Sequence, residues 1–229
     1  MTLDPVSAVR LSLVVGLLST VVMLAPAMAC AWALARGNFR GRSLLSGVVM
    51  LPLVLPPVVT GLLLLRVFGR SAPLGSLLAA VGWPVPFTLT GAVVAACVVG
   101  FPLYVMAIRG AFEAVDSRLE EVSWTLGAPP RRTFLRVSLP LALPGVLAGM
   151  VLAFARGLGE FGATAILAGN MEGTTRTLAL AVYALLDAPD GEAQVRTLLG
   201  ASVGLSVVSL VLYEALNRRQ RRRLEWDRD

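Results

Sequence analysis

Five stretches of this sequence carry no charged residue at all. They lie between Arg10 and Arg36, Arg42 and Arg66, Arg70 and Arg109, Arg136 and Arg156, and Arg196 and Glu214. A hydrocarbon layer about 30 Å thick needs roughly 20 apolar residues of helix to cross it. Lipid offers no partner to an unpaired backbone amide or carbonyl, so such runs fold as helices that close their own hydrogen bonds. Each run holds all or most of one span, with the arginines at its ends reaching back to the water. At 56% hydrophobic and 15% charged over 229 residues, the composition lies outside the range of ordinary soluble domains. These features predict an all-α membrane protein, a polytopic helical bundle of about five transmembrane helices forming one domain over residues 1–229.

Three places leave the count open at five or six. The third run is too long for one helix, and "GWPVPFTLTG" (82–91) breaks it, so a helix is expected from near Pro86 with residues 67–85 as a loop. "LPGVLAGMVLAFARGLGEFGATAILAG" (143–169) reads as one long or interrupted span, loosened by Gly157, Gly159 and Gly162, with two shorter crossings as the alternative. "TLALAVYALL", within the segment 170–195, is too short to span comfortably and is expected to lie along the interface or re-enter. "PAMAC" (26–30) has the look of a cleavage site, but the apolar run continues to Ala35, which favours a retained helix over 11–35.

Charge sets the orientation. All 20 basic residues are arginine, the chain has no histidine, and the net charge is +6. With five spans and the N-terminus outside, Arg36, Arg40, Arg42, Arg109, Arg118, Arg131, Arg132, Arg136, Arg218, Arg219, Arg221, Arg222, Arg223 and Arg228 fall on the cytoplasmic side. Arg10, Arg66, Arg70, Arg176 and Arg196 fall outside, and this bias obeys the positive-inside rule. The expected location is the plasma (inner) membrane, with the C-terminus cytoplasmic, a cytoplasmic loop at about 110–138 and a basic cytoplasmic tail at about 217–229. Arginines gathered at span ends point to membrane topology rather than nucleic acid. Cys30 and Cys97 lie inside apolar runs and read as buried small hydrophobes, with no metal or disulfide pattern.

No nucleotide-binding or metal-ligand spacing is present, so catalysis and bound cofactors are not expected, and uphill transport would draw on a partner or an ion gradient. "LPLVLPPVVTG" (51–61) and "LPLALPGVLAG" (139–149) share the pattern LPLxLPxVxxG, which is either proline punctuation in a leucine-rich chain or two parallel broken helix beginnings along one pathway. Arg156 and Glu160 are the clear ionisable pair within an apolar span. Their i, i+4 spacing lets them pair, either to hold helices together or as part of a pathway gate. Gly145 with Gly149, and Gly200 with Gly204, give two GxxxG spacings, read mostly as packing within the chain.

The stretch "VDSRLEEVSWTLGAPPRRTF" interrupts the greasy sequence with charge. A helical run is expected from about Asp116 to Leu126, stopped at Gly127, with a second short element after Pro129 and Pro130. Leu119, Val122, Ser123 and Leu126 fall on one side of that run, and Arg118, Glu121 and Thr125 on another. Glu121, Gly127, Val137, Leu139 and Pro140 resemble the cytoplasmic signature of ABC importer permeases: E-A-A, three residues, G, nine residues, an aliphatic, one residue, L-P. Val122 and Ser123 stand where two alanines are usual. With "LPLVLPPVVTG", "VLAFARGLGEFGATAILAGN" (151–170) and "TRT" (175–177), the chain resembles molybdate permease subunits over roughly residues 8–217, with sulfate and tungstate permeases as near relatives.

The resemblance implies the type I ABC importer permease fold and a non-catalytic subunit. It also implies a second copy of the chain, two ABC ATPase subunits that use ATP and magnesium, and an external molybdate-binding protein. Coupling to the ATPase would fall to Glu120, Glu121, Val122, Ser123, Thr125, Leu126, Gly127, Val137, Leu139 and Pro140. The candidate pathway or gate comprises Pro56, Pro57, Thr60, Arg156, Glu160, Gly162 and Thr164. A tungstate or sulfate permease is the near alternative, and an ion-gradient-driven transporter or channel the distant one.

Overall fold

The computed structural model describes residues 4–186 and 192–226, the last six of these as backbone, and the regular structure among them is helical throughout. Residues 1–3, 187–191 and 227–229 lie outside the described ones. With them go the ends of the expected domain, part of the segment 170–195 and the end of the basic tail, including Arg228.

Asp4 accepts a hydrogen bond from the Val6 amide at 3.0 Å and Pro5 takes the first helical position, so α1 (Pro5–Arg36) opens on a capped turn. Its 32 residues extend about 48 Å, longer than the hydrocarbon layer, and "PAMAC" lies inside this unbroken helix. α2 (Arg42–Val54) and α3 (Pro57–Phe68) meet at 111°. The bend has a local cause: Leu55 precedes Pro56 and Pro56 precedes Pro57, so both are driven out of the helical region, to ψ 141° and 133°.

The expected loop 67–85 instead contains α4 (Pro73–Ala80), because Pro73 presets the first helical position of an apolar octet that packs on α3. α5 (Leu89–Glu113) begins three residues later than Pro86. Thr88 is its cap and accepts from the Gly91 amide at 3.3 Å. After α5 come the short α6 (Ser117–Thr125) and α7 (Pro130–Thr133), then a π-helical turn (Phe134–Ser138) that leads without a break into α8 (Leu139–Leu158). α8 stops at Gly159, and α9 (Gly162–Leu167) turns aside onto α3, so 143–169 is an interrupted span rather than two crossings. α10 (Leu178–Leu185) is a short helix against α1 and α11 (Glu192–Trp226).

Four helical runs among the described residues are long and apolar enough to cross a membrane: α1, α5, α7 through α8, and α11. The bent pair α2–α3 makes a fifth if taken as one span. α5 packs along both α1 and α8, and α11 lies along α8. Tyr104, Ile108 and Phe112 on α5, Leu34 on α1 and Val146 on α8 form the buried centre.

Two sequence expectations separate here. "LPLALPGVLAG" does not break its helix: Pro140 sits in the first turn of α8, Pro144 is followed by glycine rather than by a second proline, and α8 runs through both, so the two parallel broken beginnings are not found. Of the two GxxxG spacings, a Cβ at Gly149 would meet Ala107 Cβ at 3.2 Å on α5, whereas Gly200 and Gly204 face open space. Only the first packs within the chain.

Candidate functional site

The charged interruption folds as a small, two-faced unit at one end of the bundle. Asp116 caps α6 by accepting from the Arg118 amide at 3.0 Å. At the other end the Gly127 amide donates to the Trp124 carbonyl at 2.9 Å and the Ala128 amide to the Ser123 carbonyl at 3.1 Å. This Schellman pair demands a left-handed residue, and Gly127 supplies it at φ +80°.

One face of α6 is open. Glu121, Val122, Thr125, Leu126 and Gly127 are exposed, Leu126 by 82%. Leu119, Val122, Ser123 and Leu126 line one side of a cleft of about 460 Å³, with Arg132, Arg136 and Val137 on the other side. The Ser123 and Thr133 hydroxyls hydrogen-bond at 3.0 Å, which gives the serine at the usual alanine position a role in fastening α6 to α7. Val137 and Leu139 are half-buried and Pro140 exposed where the chain turns into α8.

Glu120 points the other way. It is 3% exposed, and both its carboxylate oxygens accept from Arg36 Nε, at 3.1 and 3.2 Å. Ser138 Oγ donates to it at 2.9 Å, and Arg36 Nη2 donates to the Val115 carbonyl at 2.7 Å. Trp32 packs edge to face on both Phe112 and Phe134 beside this network, at centroid distances of 5.0 and 4.8 Å. Glu120 therefore belongs to the anchoring side of the unit rather than to the open face on which Glu121 lies.

The second group gathers where α3 meets α9. Pro57 and Gly61 on α3 lie against Gly162 and Ala163. A Cβ at Gly61 would stand 2.8 Å from the Ala163 Cα, and one at Gly162 2.9 Å from the Pro57 Cβ, so the two backbones touch. Thr60 and Thr164 are buried in the same region, while Pro56 is exposed at the bend. Arg156 Nη1 meets Glu160 Oε2 at 2.9 Å, and Glu160 Oε1 accepts the Ala163 amide at 2.9 Å, pinning the first turn of α9. The Glu160 side chain is 3% exposed and that of Arg156 27%. Arg156 occupies the last turn of α8, about 27 Å of helix from Ser138, so the pair sits at the end of that helix and not at its middle. Its position there also sets a cation against the negative end of the helix dipole.

Sequence reasoning missed Arg36, Ser138 and Thr133 as partners of the charged unit, and Gly61 as the close-contact residue of α3. The glycine had a legible signal, since it ends the "LPPVVTG" pattern. Arg36 had none, because its partner lies 84 positions away.

The model of the family described as binding-protein-dependent transport system inner membrane component matches residues 13–222. The Molybdenum transport system permease protein ModB of Haemophilus influenzae is 47% identical over 220 residues, 96% of either chain. That of Escherichia coli K12 is 47% identical over 217 residues, 94% of this chain and 95% of the other. Among solved structures, the inward-facing MetNI methionine ABC transporter is similar at a TM-score of 0.66 and 20% identity, covering 96% of this chain and 94% of that one. A bacterial alginate ABC transporter in complex with an alginate-bound periplasmic protein is similar at 0.65 and 18%, covering 95% and 78%. At these identities the structures speak to the fold alone.

Proposed function

Because the chain belongs to the family of binding-protein-dependent transport system inner membrane components, we propose that it is the permease subunit of an ATP-driven importer of molybdate. The observation that carries the reading is the α6 unit: a rigidly capped helix with an open apolar and acidic face, fastened to the bundle from behind. Such a face suits docking into a groove on a separate ATPase, which supplies the energy that no residue pattern of this chain provides. Two ATPases would bind a pair of these chains, with an external binding protein delivering the anion to the opposite side. The N-terminus lies outside and the C-terminus in the cytoplasm, the orientation that puts α6 within reach of ATP. The α3–α9 contact with Arg156 and Glu160 lines or gates the pathway near its outer end. ATP-driven closure of the ATPases moves α6, and the helices exchange inward for outward opening. The chain itself holds no cofactor in this scheme.

The test is uptake by proteoliposomes containing the permease, its ATPase and the binding protein, offered molybdate, tungstate or sulfate. Molybdate uptake that requires ATP is the expected result. Uptake that survives ATP removal and follows an ion gradient would refute the importer reading, and uptake of sulfate alone would refute the substrate.

A further inference from the structure

The short helix α6 has little apolar surface with which to hold itself to the bundle. Its packing neighbours are α7 and the π-helical turn. Toward α1 it stands off, leaving a groove of about 560 Å³ walled by Ala25, Met28, Ala29 and Trp32 on one side and by Trp124, Pro130 and Arg131 on the other. Glu120 also lines that groove, and there the carboxylate reaches Arg36 on the last turn of α1. Through Arg36 it reaches the Val115 carbonyl at the exit of α5, and through Ser138 the base of α8. One carboxylate thus joins four elements at a place where apolar packing leaves a gap.

We infer that the Arg36–Glu120 pair is the pin that transmits displacement of α6 to α1 and to the base of α8, with Arg36, Glu120 and Ser138 as positioning residues for transport. A helix held by apolar packing alone slides when pushed. A carboxylate held by Arg36 Nε across both its oxygens and by the Ser138 hydroxyl, in a site 3% exposed, does not, because separation strands its charge away from water. The groove leaves α6 room to tilt, and the pair fixes the point about which it tilts. The π-helical turn that ends at Ser138 is the expected place for the bundle to yield, since such turns are rare interruptions of an α-helix that collect at functional sites.

This inference rests on the importer reading, so its test has one arm that does not. In the purified permease, Glu120→Gln should raise amide exchange across Leu119–Thr125 about tenfold while α5 stays protected. In the reconstituted importer, Glu120→Gln and the double variant Arg36→Met with Glu120→Met should keep ATP hydrolysis but lower molybdate moved per ATP about fivefold or more. The double variant removes both charges and so spares the bundle a stranded ion. Ser138→Ala, which deletes a single donor, should give a smaller loss of the same ratio and serves if the others insert poorly. Unchanged exchange overturns the pin. Raised exchange with an unchanged transport-to-ATP ratio overturns it as well, leaving only a brace for the fold. A wild-type importer that hydrolyses ATP without moving molybdate counts against the importer reading, and the exchange arm alone then decides whether the pin holds α6.

Discussion

Removing Arg156 and Glu160 one at a time should cost, summed, more than removing both together. Arg156→Ala leaves the Glu160 carboxylate, its side chain 3% exposed, with the Ala163 amide as its remaining donor. Breaking a buried pair costs about 3–5 kcal/mol, but Arg156 is itself 27% exposed and water already competes for it, so about 3 kcal/mol is expected. Glu160→Ala strands the Ala163 amide in the first turn of α9 while Arg156 turns toward water, at about 2 kcal/mol. The double variant strands no carboxylate and keeps only the amide and cavity terms, about 3 kcal/mol in all. The singles therefore overshoot the double by about 2 kcal/mol, a coupling that a double-mutant cycle resolves. Unfolding titrations of the purified permease in mixed micelles measure all three. Additive effects would refute the pairing argument. Full stability of all three variants with uptake abolished would show the pair acting in the gate rather than in the fold.

Gly127→Leu forces a left-handed residue at φ +80° into open space, a strain of about 1–2 kcal/mol that falls on the end of α6 and spares the spans. Normal insertion with weakened co-purification of the ATPase is expected, and unaltered ATP-driven uptake would remove Gly127 from the coupling unit. Gly61→Ala sets a Cβ 2.8 Å from the Ala163 Cα and 2.9 Å from its carbonyl oxygen, backbone atoms that cannot turn away, so about 2–3 kcal/mol of stability should be lost. Gly47→Ala, where a Cβ meets nothing within 4 Å, is the control and should be neutral or stabilising when both variants are followed by the same unfolding titration.

The features legible in the sequence are those with a local cause. Spans show themselves because lipid fixes the length of helix that each charge-free run must supply. The break at Pro56–Pro57 was visible in two adjacent prolines, each excluding the helical conformation from its predecessor. The same reasoning overreached at Pro144, because one proline inside an apolar helix removes one hydrogen bond and does not force the next residue out. α4 and the delayed start of α5 turned on Pro73 and Thr88, capping signals that a reading by apolar runs passes over. Arg156 and Glu160 were legible as a pair by their spacing, but their depth was not, because it depends on where α8 stops.

Glu120 and Glu121 mark the boundary of what such reading reaches. Adjacent residues on a helix point about 100° apart, so one must face nearer the bundle than the other. Signature spacing selects Glu121, which lies on the open face; the buried position falls to Glu120, and nothing near it in the sequence names Arg36. The two glutamates answer different demands on one nine-residue helix. α6 must offer a partner an accessible face, which forbids it the apolar burial that would hold a longer helix in place. It must also stay fixed to the bundle when that face is pushed. A charge pair from Glu120 to Arg36, a hydroxyl donated by Ser138 to the same carboxylate and a hydroxyl pair from Ser123 to Thr133 supply the attachment that apolar area cannot.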